Sequence, residues 1–201
     1  KGHQYHDGHE GTNASWAEAR IIDYTTDGKR LVVTSDATDA YRLVNPAVEL
    51  VQRTVVFLKP DILLLFDRVK LKSPSNVQLR FQIYNEDGKG SGQARQSGFV
   101  IQRPHASLDA KLRSNSDVVV RVGQFDVPAD IGVYPYLEAE TQPGNDHEIL
   151  TASVARSGAT TPTTVDVSSK DGVWMATGKQ NGKGFKVSIR PGGEKPFVQF
   201  D

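Results

Sequence analysis

Val51-Gln52-Arg53-Thr54-Val55-Val56-Phe57-Leu58, then Lys59-Pro60-Asp61, then Ile62-Leu63-Leu64-Leu65-Phe66-Asp67-Arg68-Val69-Lys70-Leu71, is the stretch that decides the fold class. Two runs rich in β-branched and large apolar residues flank a short break whose proline presets φ for a turn. The stretch reads as an antiparallel hairpin. N-terminal to it, Thr26-Asp27-Gly28-Lys29 separates residues 17–24 from Arg30-Leu31-Val32-Val33-Thr34, and Asp-Gly is a strong hairpin signal. C-terminal to it, residues 77–84 alternate: Val77, Leu79, Phe81 and Ile83 on one face, Gln78, Arg80, Gln82 and Tyr84 on the other. A period of two over this length marks a strand with one solvated face.

Residues 85–97, holding Gly88, Gly90 and Gly92, read as a long turn region. Beyond them short apolar runs and turn signals continue to the end, bringing the strand-like runs to about fourteen. No window supports an amphipathic helix of three turns; a short helical turn fits only at residues 47–52 or before Trp16. A repeat of fixed period is absent, which argues against a propeller or solenoid, and βαβ spacing is absent, which argues against a parallel sheet. The expected fold is all-β: a large antiparallel two-sheet β-sandwich, supersandwich-like, without significant helices. Residues 1–15 form a polar His/Gly-rich leading segment, and residues 16–201 a single sandwich domain, too many strands for an immunoglobulin-sized unit.

Composition removes several function classes. Cysteine is absent, so there is no disulfide, thiolate metal site or cysteine nucleophile. Lys+Arg and Asp+Glu are both 24, whereas nucleic-acid binders draw affinity from a basic excess; no nucleic-acid partner is expected. The longest apolar run, Ile62-Leu63-Leu64-Leu65-Phe66, is far short of the roughly 20 residues that span a bilayer. The chain opens Lys1-Gly2-His3-Gln4 with neither an apolar signal region nor an initiator Met, the pattern expected of a mature, processed or truncated piece of something longer.

His3, His6 and His9 recur every third residue with Asp7 and Glu10 among them. Imidazole and carboxylate together suit zinc or another borderline divalent ion, making these three the candidate metal ligands; the alternative is a frayed polar terminus. His105 and His147 are isolated, and a loop histidine is most simply solvated. Asp36 with Asp39, and Glu138 with Glu140, resemble acid/base couples, but glycoside chemistry needs a defined separation across a sugar, and Glu138 and Glu140 share a strand face that reads as solvated. Gly88-Lys89-Gly90-Ser91-Gly92 lacks the Lys-Ser/Thr ending of a phosphate loop. Arg53, Arg68 and Arg80 lie on consecutive strands, where a basic stripe could hold a carboxylated or sulfated sugar by bidentate hydrogen bonds, or each could pair with a nearby carboxylate such as Asp67. Trp16, Tyr134 and Tyr136 are candidate stacking surfaces for a pyranose, the two tyrosines straddling Pro135 on one side of an extended segment. Trp174 reads as core. The candidate substrate-binding set is therefore Arg53, Arg80, Tyr134, Tyr136 and Trp16.

Asp36-Ala37-Thr38-Asp39-Ala40-Tyr41, then Val51 to Leu58, then Asp61-Ile62-Leu63-Leu64-Leu65-Phe66-Asp67-Arg68-Val69, resembles the C-terminal β domain of the heparinase II/III-like family of polysaccharide lyases. There a Gly- or Ser-Asp-Ala-Thr-x-x-Tyr stretch precedes an Arg-Thr/Ser-Val-x-Phe-Leu strand and a hydrophobic strand ending Phe-Asp-Arg-Val. The resemblance covers residues 36–85 strongly and the remainder loosely. It implies an antiparallel β-sandwich joined in the parent protein to an N-terminal α/α toroid, with β-elimination on uronic-acid glycans such as glycosaminoglycan or alginate. A base takes the proton α to the uronate carboxyl, whose charge is neutralised, and an acid protonates the leaving oxygen. The family's catalytic Tyr, His and Asn or Glu lie mostly in the toroid, and the early β strands add a His and in some members a zinc site. No segment here matches the His-containing motif, so the resemblance assigns no catalytic residue to this chain.

The expected function is the sandwich part of such a lyase, secreted or periplasmic, supporting the substrate cleft for an acidic polysaccharide and incomplete as an active site by itself. The alternatives are a non-catalytic carbohydrate-binding module and a structural surface β domain.

Overall fold

The computed structural model describes residues 18–126, 132–157 and 163–201. Strands are numbered along the chain. The longest sheet has eight, in the order β1 (Arg20–Thr26), β2 (Arg30–Asp36), β3 (Val48–Leu58), β4 (Ile62–Ser75), β11 (Gly144–Ser157), β8 (Ala106–Ser114), β7 (Gly98–Arg103) and β6 (Ser91–Arg95). A three-stranded sheet runs β5 (Gln78–Gln82), β10 (Pro135–Thr141), β9 (Val118–Gln124), and a four-stranded sheet runs β12 (Thr164–Lys170), β13 (Val173–Gln180), β14 (Lys183–Arg190), β15 (Phe197–Phe200). Every pairing is antiparallel. The all-β antiparallel sandwich expected from the sequence is the fold observed. Among the described residues no helix is long and apolar enough to cross a membrane.

The deciding hairpin is β3–β4, registered Leu58↔Ile62 through Val51↔Val69. Because side chains alternate across a strand, Val56, Leu58, Ile62, Leu64 and Phe66 share one face, joined by Leu150, Ala152 and Val154 of β11. That face closes on Val165, Trp174, Ala176, Val187 and Ile189 of the four-stranded sheet, with the Phe66 and Trp174 rings 5.7 Å apart. Thr34 and Thr54 also point there and satisfy each other at 2.9 Å.

The opposite face of the long sheet is covered at its other end. Leu112, Ala110 and Phe99 pack with Leu79, Ile83, Leu137 and Ala139 of the three-stranded sheet. Register places Leu112 beside Thr151 and Ala110 beside Ser153, so these side chains point away from Leu150 and Ala152. The second layer of the sandwich is thus divided: one sheet lies on each face of the long one, over different strands.

Turn chemistry sets the β1–β2 connection. Gly28 takes φ +82°, a conformation glycine adopts without penalty, and Asp27 Oδ1 accepts from the backbone N–H of Lys29 at 2.9 Å and Arg30 at 2.7 Å. Two local expectations are corrected. The short helix, α1, is Thr38–Arg42 rather than residues 47–52; Asp36 Oδ1 accepts the Thr38 N–H at 2.8 Å, Asp39 pairs with Arg42 at 3.0 Å, and residues from Val48 enter β3. Residues 85–97 also contain β6, a polar edge strand without an apolar period, held by its ladder to β7.

Candidate functional site

On the three-stranded sheet, Glu138 of β10 stands between Arg80 of β5 and Arg121 of β9. Arg80 Nε donates to Glu138 Oε2 at 2.7 Å, and Arg121 Nε donates to Oε1 at 2.9 Å. Arg121 also reaches Glu140, which accepts further hydrogen bonds from Gln78 (3.0 Å) and Asn76. Gln78 and Arg121 hold the Glu140 carboxyl below its ordinary range, and Glu138, then Glu140, push the Arg121 guanidinium up. The expectation of a solvated Glu138 is corrected: it is 2% exposed, lying under the two arginines that neutralise it.

One register step along, Tyr136 lies opposite Gly123. A Cβ at Gly123 would fall 2.4 Å from the Tyr136 ring, so only glycine lets the ring lie flat across β9. The ring packs against Phe125 at a tilt of 52°, centroids 4.7 Å apart, and the Arg80 guanidinium sits 5.0 Å from its centroid. The fold therefore brings together two of the sequence-predicted residues, Arg80 and Tyr136. Tyr134 lies just before β10, half-buried, its carbonyl accepting the Phe125 N–H at 3.0 Å. Exposed guanidinium forks beside an aromatic ring can hold a carboxylate or sulfate. Arg121 completes the group and was not among the sequence candidates; its signal was a lone charge inside Val118-Val119-Val120-Arg121-Val122.

Arg53 lies elsewhere. It pairs with Asp67 across β3–β4, Nε to Oδ1 at 2.7 Å, on the face of the long sheet away from the four-stranded sheet. Arg68, the next residue, points to the opposite face and donates to Gln52 Oε1 at 3.2 Å. With Arg80 in another sheet, the three arginines form no stripe: consecutive strand residues alternate. Burial pushes the Asp67 carboxyl up against the attraction of Arg53, and its Oδ2 has no hydrogen-bond partner among the described residues. Val55, Phe57, Leu63 and Leu65 continue this face from the pair toward the β3–β4 turn, all half-buried and outside the three cores. Exposed Ile21 and Tyr24 continue the same face onto β1.

His147 also departs from expectation. It is 1% exposed, with Nε2 2.9 Å from the Ser75 carbonyl and 3.0 Å from that of Gly144. Two carbonyl acceptors make Nε2 the protonated nitrogen, and the ring ties the end of β4 to the start of β11. His105 is exposed in the β7–β8 turn. His3, His6, His9 and Trp16 lie outside the described residues. Among the described residues no group of three or more His, Asp or Glu side chains is arranged to hold a metal ion.

The fold and these surfaces define a large antiparallel β-sandwich with an arginine–carboxylate–tyrosine face. Solved structures share that architecture. The chain superposes on heparan sulfate lyase HepC from Pedobacter heparinus with a TM-score of 0.65 at 15% identity, over 86% of this chain and 28% of that one. A heparinase III gene product gives 0.60 at 12% identity, over 87% and 28%. A further heparinase III gives 0.54 at 10%, over 85% and 27%. The chain thus spans little more than a quarter of the length of these proteins, and what it shares with them is the fold. No protein-family model matches the sequence, and no curated protein matches it.

Proposed function

We propose that this chain is the β-sandwich part of a polysaccharide lyase that cleaves uronic-acid-containing glycans by β-elimination, in a secreted or periplasmic protein. The observation that carries the reading is the sandwich shared with heparan sulfate lyase and heparinase III over 85–87% of the chain. The resemblance of residues 36–85 to the heparinase II/III-like family supports it independently. So does the β3–β4 hairpin: strands apolar on both faces belong where both faces are covered, and here Val55, Phe57, Leu63 and Leu65 of one face are only half-buried, outside the three cores. In the proposal that face packs against the helical toroid of the parent protein. Arg80, Tyr136 and Tyr134 contribute to holding the acidic polysaccharide, and Arg53 and Trp16 are further proposed contacts. His3, His6 and His9 are the proposed ligands of a divalent metal such as zinc. The base and acid of the elimination come mostly from the toroid.

The test compares the parent protein with the 201-residue chain on heparan sulfate and on alginate, following the ultraviolet absorbance of the unsaturated uronate product. Cleavage by the parent and none by the chain is expected. A parent without several hundred helix-patterned residues ahead of Lys1 would sink the proposal. The exposed Arg80–Tyr136 stack favours one second reading, a non-catalytic carbohydrate-binding module. Retardation of the chain on a glycan gel, with no absorbance change from the parent, would select it.

A further inference from the structure

Three hairpin tips meet at one end of the sandwich, between the long sheet and the four-stranded sheet. They are the β1–β2 turn at Gly28-Lys29, the β3–β4 turn at Lys59, and the β13–β14 turn at Asn181-Gly182. The Lys59 N–H donates to the Lys29 carbonyl at 3.0 Å, joining the first two tips. Gln180 joins the third, its Nε2 lying 3.2 Å from the Leu58 and Lys59 carbonyls and 2.6 Å from Asp61 Oδ1. Between them opens a cleft of about 530 Å³, within the size range of small-molecule sites.

The lining is strongly one-sided in charge. Lys29, Arg30, Lys59, Lys183 and Lys186 face it, against a single carboxylate, Asp201. Asp201 is engaged by Lys186 at 2.9 Å, and Arg30 lies 3.8 Å from Asp27. Lys29, Lys59 and Lys183 enter no ion pair among the described residues. In a chain with 24 cationic and 24 acidic residues, this concentration is local, and a concave surface of one sign concentrates ligands of the other. The floor is aromatic: the Arg30 guanidinium sits 4.7 Å above the Phe200 ring, with Phe185 beside it.

We propose that this cleft is a binding subsite for a sulfated or carboxylated polysaccharide chain. It lies on the other side of the long sheet from the Arg80–Glu138–Tyr136 face. Unpaired lysines take the anionic groups as mobile point charges, and the Arg30 guanidinium lying over Phe200 adds a planar cation on the floor beneath the sugar. The choice of sugar polymer rests on the function proposed above; the preference for anions rests on the cleft's own charges.

Binding of defined hexasaccharides to the 201-residue chain, followed by calorimetry and NMR, tests it. A heparin hexasaccharide and an alginate hexamer are the acidic probes, cellohexaose the neutral one and a short oligo-dT the competing polyanion. The variant K29A/K59A/K183A removes three exposed cations; K72A/K89A/K170A removes three exposed cations elsewhere, matching the net charge. Expected are binding of at least one acidic hexamer and none of cellohexaose. The cleft variant should weaken the acidic hexamer tenfold or more, and the control variant less than twofold. Equal loss in both variants, equal binding of cellohexaose, or tighter binding of oligo-dT than of either acidic hexamer overturns the subsite. These outcomes are separate from lyase activity. Cleft-dependent binding with an inactive parent leaves the subsite standing and removes the lyase, whereas an active parent with an unaffected cleft variant does the reverse.

Discussion

On one face of the β3–β4 hairpin, Val56, Ile62, Leu64 and Phe66 are closed under Trp174, Val187 and Ile189 of the four-stranded sheet. On the other, Val55, Phe57, Leu63 and Leu65 stay half-buried beside the Arg53–Asp67 pair. The residues are alike in type and alternate along the same two strands. What differs is the layer above them, so the comparison separates side chains that stabilise this chain from those that suit it to a larger assembly. Truncating a side chain of the closed face should do the most damage. Phe66→Ala leaves a cavity beneath Trp174 and should cost about 3–5 kcal/mol in urea unfolding. Leu65→Ala, its neighbour on the open face, should cost under ~2 kcal/mol, because its side chain has less water to lose. Equal costs would show that the open face is covered within this chain.

A second contrast lies between the two buried carboxylates that answer arginines. Glu138 has both oxygens matched, by Arg80 and Arg121, whereas Asp67 has one matched and one without a partner among the described residues. Glu138→Ala should cost about 1–3 kcal/mol, the range for hydrogen bonds to charged groups, at the low end because both arginines remain partly exposed and can hydrate. The same substitution should free Arg80 from its place over Tyr136 and weaken any glycan held there. Chemical-shift changes confined to β5, β9 and β10 would show the effect to be local.

Asp67 sharpens the same contrast through pH. Burial raises its folded-state pKa above the ordinary carboxylate value, so the folded chain holds that proton more tightly than the unfolded one. The contribution favours folding when the carboxyl is protonated and is lost as pH rises through the raised pKa. Asp67→Asn fixes the neutral shape. Wild type and variant should therefore be close in stability at the acid end, and wild type should fall relative to the variant as pH rises. A wild type that gains on the variant instead would mean that Arg53 outweighs burial.

The strands were legible in the sequence because two signals agreed, a period of two and Asp-Gly or Pro turns, as at Asp27-Gly28 and Lys59-Pro60-Asp61. β6 was illegible for the converse reason: Ser91-Gly92-Gln93-Ala94-Arg95 has no apolar period, and only the β7 backbone holds it in a sheet. The division of the second layer into two sheets on opposite faces depends on which strands each covers, and no local pattern encodes that. At the candidate site, Arg80 and Tyr136 are fifty-odd residues apart, and register alone brings them together. Glu138 was read as solvated because alternation assigns a face correctly but is silent about the arginines that close over it. His147 was read as a loop residue for want of any local sign that two carbonyls await it.

A partly exposed pair is the counterpart of the two buried carboxylates. Arg103 meets Asp87 through both nitrogens, Nη1 to Oδ1 and Nη2 to Oδ2, each at 2.6 Å, while stacking on Tyr84 at 5.0 Å. These bonds, with the Lys89 N–H, lower the Asp87 pKa to about 2. The sign is opposite to that of Asp67: a depressed carboxylate contributes above its unfolded pKa and loses the contribution as pH falls through the folded value. Arg103→Gln should return Asp87 most of the way toward ~3.8, the residue that remains being set by the Lys89 N–H. The carboxyl carbon shift followed by NMR from pH 1.5 to 6 reads this directly. Urea midpoints at neutral pH should barely move, since an exposed pair contributes little. A midpoint loss as large as that of Glu138→Ala would mean that the β5–β6 turn is held by this pair as firmly as the three-stranded sheet is held by Glu138, and exposure would then be a poor guide to what a carboxylate does in this fold.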